Sequence, residues 1–289
     1  MKKILCSVLA ASLLLTNSFA TSSKTISNDA VKVAKKDAKQ DSKSHIVKEA
    51  LEAVVLTQKV LGEIAHKEKE NAIKDIEKAI GKIEVVLAKK NAPFMLPIDT
   101  SINAYEFHAD LSTIKKGIKT VKDLLDEGKI QEARRLLDTF QSEIDITTVS
   151  LPLASYPQAL KLAASYLHEG KTDEAKDVLE MALRTLVTTK VIIPIPLITS
   201  EALIADAKKI AKKDKNQALK HLDLAKKELE KAELLGYTSS SDVTYKTLRN
   251  AVEKVEKEIR GKNKAEKLFE ELIEKLKSFK DNATKSSAK

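Results

Sequence analysis

The sequence predicts an all-α fold: antiparallel helical hairpins in a repeat-like bundle. Three observations predict it. Glycine (7) and proline (6) are scarce in 289 residues, while Ala, Leu, Ile, Lys and Glu, which lose little rotamer freedom in a helix, dominate. Apolar residues recur at intervals of three and four almost everywhere between residues 45 and 281. A charged cassette with an anchoring alanine recurs four times: His66 to Ile76, Asp126 to Leu137, His168 to Leu179 and Lys212 to Leu222. Its last three alanines, Ala133, Ala175 and Ala218, are spaced as paired-helix repeats are, but more widely than the roughly 34 residues of a TPR unit. The excess falls in proline-containing connectors.

In chain order, residues 1–20 have the parts of an export signal. Lys2 and Lys3 precede an apolar run from Ile4 to Leu15, and Ser18-Phe19-Ala20 is a small-x-small site with cleavage expected after Ala20. That run is shorter than the roughly 20 residues of a spanning helix, so no stable membrane insertion is expected after cleavage. Cys6 lies within it, so the mature chain has no cysteine for a disulfide, a nucleophile or a metal. Residues 21–44 are polar and lysine-rich, and the reading is a mobile segment.

A core domain is expected over residues 45–238. Val47, Ala50, Leu51, Val54, Leu61 and Ile64 make one helical stripe, and Ile73, Ile76, Ile80, Ile83 and Leu87 make the next. Short turns join such pairs, with Gly128 and Gly170 suited to a left-handed helix end and Thr172 to capping the next helix. The connectors Met95–Ser101, Ser150–Ser155 and Ile195–Ser200 each set proline among apolar residues and end in serine, so extended backbone is expected. Helices should then start at Asp99 or Ser101, at Ser155 and at Ser200. Buried connectors need hydrogen-bond partners, which a short two-stranded β pairing of residues 147–151 with 189–193 can supply. Residues 239–281 read as an amphipathic hairpin joined near Gly261, capping the stack or forming a seam with another subunit; Ser240, Ser241 and Asp242 offer caps, and 282–289 reads as a disordered tail.

The residues argue against several chemistries. The net charge of +9 is spread over helices in which Lys and Glu alternate, the pattern of solvated faces and not of a nucleic-acid site. The histidines are His45, His66, His108, His168 and His221; Glu63-x-x-His66 has di-iron spacing but no second copy, so no metal site is read. No Gly-x-Ser-x-Gly elbow or phosphate-cradling glycine loop occurs, and no cofactor is implied. Tyr105, Phe107, His108, Tyr156 and Tyr166 cluster beside two connectors; Tyr105, His108, Tyr156 and Tyr166 are the candidate lining of a small-molecule pocket, against the alternative of core packing.

The Lys67–Ala72 segment with its isoleucine stripe, the Leu-Pro-Leu-Ala-Ser connector leading into Pro157–Leu167, and the Val191–Leu197 run together resemble the YfdX protein family over roughly residues 45–235. The resemblance implies a helical periplasmic protein associated with acid or drug stress, homo-oligomeric and without a catalytic motif to carry over. The expected function is non-enzymatic: binding of unfolded clients, partner proteins or small toxic compounds in the envelope stress response. Two alternatives are an enzyme or small-molecule-processing protein with its site near the connectors, and a purely structural oligomer built through residues 239–289.

Overall fold

The computed structural model describes residues 22–237 and 244–287. The export signal and the candidate caps Ser240, Ser241 and Asp242 lie outside the described residues. Among those described, the chain is mainly helical, with eleven helices and one three-stranded antiparallel sheet. In order they are α1 (Ser23–His45), α2 (Lys48–Ala65), α3 (Lys69–Leu87), β1 (Met95–Tyr105), α4 (Leu111–Asp126), α5 (Ile130–Leu137) and β2 (Glu143–Pro152). There follow α6 (Tyr156–Glu169), α7 (Thr172–Arg184), β3 (Val187–Pro194), α8 (Ile195–Ile210), α9 (Lys215–Leu234), α10 (Tyr245–Arg260) and α11 (Glu266–Ser287).

The four cassettes are the turns and second helices of hairpins α2–α3, α4–α5, α6–α7 and α8–α9. Gly128 (φ 74°) and Gly170 (φ 80°) adopt the left-handed conformation at the first-helix ends, and Lys67 (φ 63°) does so at the same place in the first copy. Each second helix carries its anchor alanine, Ala72, Ala133, Ala175 or Ala218, at 0% exposure. Thr172 does not cap α7; Lys171 occupies the cap position without a side-chain bond.

The connectors form more strand than expected. The expected pairing of residues 147–151 with 189–193 is present as β2 with β3, bounded by Ile195 N donating to Ser142 O (2.9 Å) at one end and Thr189 Oγ1 donating to Thr148 O (3.5 Å) at the other. The first connector joins them as β1, giving the order β1-β2-β3. Pro97, which has no N–H to donate, is tolerated because β1 is an edge strand, and its carbonyl accepts from Val47 N (2.8 Å). Two helix starts move accordingly. No helix begins at Asp99 or Ser101; α4 starts at Leu111, where the Asp110 carboxylate accepts from Thr113 N (2.7 Å). Nor does one begin at Ser200: α8 starts at Ile195, because Pro196 in a first helical turn gives up a donor that would have no partner there. Residues 195–200 are thus buried helix, and Ser200 Oγ donates to Ala225 O (3.2 Å). Ser155 does precede α6, with Pro157 in its first turn.

Two compact units result, each assembled from separate stretches, in place of the linear division at residue 238. One takes Met1–Lys39, Ile102–Ile146 and Val191–Lys289; the other takes Gln40–Ser101 and Thr147–Lys190. In the second unit, hairpin α2–α3 packs on hairpin α6–α7, α2 against α7 and α3 against α6, around Ile76, Ile83, Leu160, Leu167 and Leu179.

In the first unit, α8 and α9 pair, α10 packs on α9 and α11 on α8. Leu248, Val252, Val255 and Ile259 of α10 and Phe269, Leu272, Leu276 and Phe279 of α11 are buried in its core. The C-terminal hairpin therefore spends its apolar face within the chain. Its last helix continues to Ser287, with Ala283 and Thr284 buried, where a disordered tail was expected from residue 282.

The expectation of a mobile segment over 21–44 is also corrected. Residues 23–45 are a helix that buries Ile26, Ala30, Val31, Ala34 and Ala38 in the same core. Three of these five are alanines, which supply a close-packing face without the large side chains that make a stripe conspicuous. If α1 is docked in this way, Ala38→Glu, which forces a charge into a filled position, lowers unfolding free energy by about 3 kcal/mol. Lys35→Glu, on the exposed face, changes it by no more than about 0.5 kcal/mol. Urea denaturation of the two variants makes the comparison, and equal effects would remove α1 from the core.

Candidate functional site

The second unit contains a charged cluster that no motif announces. Asp75 on α3 has only 3% of its side chain exposed, yet two ammonium groups meet its carboxylate: Lys59 from α2, and Lys78 one turn along α3 at 2.5 Å. Lys59 also lies 3.2 Å from Glu63, a buried carboxylate one turn further along α2. Hydrogen bonds from Lys59 and then Lys78 favour the charged form of Asp75 and hold its carboxyl down at about 2, and the bonds to Asp75 and Glu63 push the Lys59 ammonium up. A carboxylate kept ionised at every physiological pH does not exchange protons with a substrate. The cluster clips α2 to α3.

Nearby, Tyr156 is fully enclosed. Its hydroxyl donates to Thr57 Oγ1 (2.9 Å), which donates in turn to Ala53 O (2.8 Å), and burial pushes the phenol up to about 12. Tyr156 thus packs as a core residue, which was the alternative weighed for it. Tyr166 is half-buried, with the Lys171 ammonium 5.7 Å from its ring centre.

Tyr105 and His108 belong to the first unit. Tyr105 ends β1 at 43% exposure, and His108 is exposed, its Nε2 3.6 Å from Glu106. Phe107 between them stacks at a tilt on Phe140 (5.2 Å), while its carbonyl accepts from Lys231 Nζ (2.6 Å). Of the di-iron-like pair, Glu63 is committed to Lys59 and His66 lies in an exposed turn. His221 is buried, Nε2 2.8 Å from the Gln217 amide and Nδ1 2.9 Å from the Asp206 carboxylate but out of line for a hydrogen bond. In the same unit Tyr237 closes a polar seam. Its oxygen accepts from Ser142 N (2.9 Å), its hydroxyl donates to Glu143 (2.7 Å), and its carbonyl accepts from Tyr245 (2.5 Å); burial raises both phenols.

A concave surface does exist, away from the aromatic candidates. Leu219, Lys220, Asp223, Leu224 and Lys226 of α9, with Glu256 and Arg260 of α10, line an open groove of about 460 Å³. Lys226 is held by Glu256 (2.8 Å) and Asp223 by Lys227 (2.9 Å), so this floor is mostly self-neutralised. The less ordinary surface is apolar. Phe94 is 84% exposed, Met181 65% and Ile130 61%, on a chain whose cores are filled with alanine, isoleucine and leucine. The groove and these side chains offer places to bind, not a reacting constellation.

The Asp75 cluster sets a pH dependence whose sign follows from its lowered pKa. The carboxylate stabilises the fold above its ordinary value of 3.8, and that stabilisation is lost as pH falls toward about 2. Asp75→Asn should therefore lower the denaturation midpoint at pH 7, and the gap from wild type should close across that acid window. A gap independent of pH in melts from pH 5 to 2 would show the pairing to contribute nothing.

Comparison with known proteins bears on the second unit most directly. Residues 53–192 match the family model of the YfdX protein. No curated protein matches the sequence. A solved structure of Salmonella Typhi YfdX is similar over 52% of this chain and 93% of that chain, at 17% identity and a TM-score of 0.38. Over residues 53–192, just under half of its length, the chain is thus similar to the YfdX protein family.

Proposed function

We propose that this protein is a non-enzymatic, periplasmic component of the envelope stress response that binds unfolded client proteins through apolar side chains left in water. The observation that carries this reading is the exposure of Phe94, Met181 and Ile130. Burying one such side chain against a client is worth about 1.5–3 kcal/mol. The alternating lysines and glutamates around them keep the free protein soluble and repel nonspecific collapse. Phe94 is presented on fixed backbone, since its carbonyl accepts from Leu153 N (2.8 Å). Export rests on the signal features of residues 1–20, and the stress role on the likeness of residues 53–192 to the YfdX family.

A second reading, binding of a small toxic compound, is favoured by the groove between α9 and α10, where Lys220 and Arg260 flank Leu219 and Leu224. A ligand recovered with the protein and identified by mass spectrometry would move the site there.

Client binding is measured by light scattering of an acid-unfolding model protein at pH 5. Equimolar purified protein should suppress the scattering at least two-fold, and Phe94→Ser combined with Met181→Ser should weaken the suppression. No effect at a stoichiometric excess of the wild-type chain would overturn client binding.

A further inference from the structure

The lysines of α1 break a rule that other helices of the chain follow. Elsewhere an ammonium group one turn from a carboxylate pairs with it, as in Lys59–Glu63, Lys176–Glu180 and Lys227–Asp223. On α1, at roughly 100° per residue, Lys24, Lys32, Lys35, Lys36 and Lys39 fall within one arc of about 120°, opposite the buried Ile26, Ala30, Ala34 and Ala38. All five are exposed. The helix's acidic residues, Asp29, Asp37 and Asp41, lie outside that arc and are half-buried. Among the described residues, none of the five lysines forms an ion pair.

This arrangement works against the helix that carries it. Lys32 is three and four residues from Lys35 and Lys36, and Lys39 is four and three from the same two, so each meets like charges across one turn. Lys24 adds a cation to the first turn, which holds no acidic residue and where the helix dipole favours an anion. Solubility alone does not require one sign, since α3 and α10 stay solvated with lysines and glutamates interspersed.

We propose that the lysine face of α1 is a docking surface for the anionic headgroups of a lipid bilayer. Charge complementarity calls for an anionic partner, and the form of the array selects an extended one. From Lys24 to Lys39 the charges run for about 22 Å along the helix. The face has no arginine to grip a single carboxylate or phosphate in two places, and no aromatic ring on which a nucleotide base could stack. Lysine ammonium groups on flexible stems meet headgroup phosphates in whatever disposition a fluid surface presents. The apolar side of α1 is already spent in the core, so the helix adsorbs without inserting. Each lysine brought to such a surface raises partition about five-fold, and salt screens the attraction.

Co-sedimentation of the purified protein with large vesicles tests the proposal. Vesicles of phosphatidylcholine with about 30% phosphatidylglycerol should carry the protein down at about 50 mM salt and release most of it at about 500 mM. Phosphatidylcholine alone should carry none. Lys32→Glu combined with Lys35→Glu and Lys39→Glu should lower the partition coefficient at least ten-fold, while arginine at the same three positions should preserve it. Lys119→Glu, Lys122→Glu and Lys254→Glu together make the same change in net charge on α4 and α10, and should lower it less than three-fold. Should the α1 glutamate variant fail to fold, glutamine at its three positions removes the charge without reversing it and should also lose at least ten-fold. Absence of binding to the anionic vesicles would overturn the proposal. So would binding to phosphatidylcholine alone, which means insertion of an apolar segment, and equal losses in the two glutamate variants, which mean a net-charge effect. Protein that ignores vesicles but is retained by inorganic polyphosphate would overturn it too and assign the face to a soluble anion. Aggregation suppression is a separate readout on which this docking does not rest.

Discussion

Close approach of helices at buried alanines is the constraint from which most of this structure follows. An alanine holds two helix backbones at the short end of the usual interaxial range, about 8 Å, and the apolar residue one turn further on then fills the gap beside it. Ala72, Ala133, Ala175 and Ala218 have no exposed surface. The same economy recurs in α1, where Ala30, Ala34 and Ala38 dock a helix that is otherwise lysine-rich. Small residues leave little room for error in register, and three of the four hairpin turns supply that register through a left-handed residue at 67, 128 or 170. With two such hairpins face to face, the second unit has a complete core; a single one, α4–α5, cannot complete its own.

The sheet and the charged cluster solve a different problem, the satisfaction of polar groups among closely packed helices. Connectors rich in isoleucine and leucine cannot remain loops, because buried backbone must find partners. The first connector, the start of the second and the run just before the third find one another as β1, β2 and β3. Asp75 reaches the same end with side chains: buried on α3, it is tolerated because Lys59 and Lys78 bring their charge from half-exposed positions and so lose little hydration. The sheet binds segments distant in the chain, which is where a repeat built from local hairpins needs help, whereas the Asp75 cluster fixes the two helices of one hairpin.

Legibility from the sequence followed the range of the interactions. The hairpin helices, the turns at Gly128 and Gly170 and the β2–β3 pairing were readable because each rests on local periodicity, on one backbone conformation or on a burial demand within a short segment. The role of α1 was not, since alanine marks a packing face only after its partner is known. Of the candidate aromatic residues, Tyr156 resolved into a core hydrogen-bond chain through Thr57, and no spacing rule in the sequence connects those two positions. The Lys59–Glu63 and Asp75–Lys78 spacings are visible as ordinary helix pairs, but their convergence on one carboxylate needs α2 and α3 side by side.

By itself, then, the sequence determined the helical class, the repeated hairpin, the proline connectors as its unusual parts, and the resemblance to a family whose model residues 53–192 match. Those properties are carried by neighbours within a turn or two. Only the tertiary structure decided which apolar stripes are covered. It committed the C-terminal hairpin to the first unit's core, divided the chain into interleaved units, and left Leu125, Ile130 and Leu137 in water. Burial is a property of what packs against a residue, and for equivalent positions in four similar helices the sequence is nearly the same whether that partner is present or not.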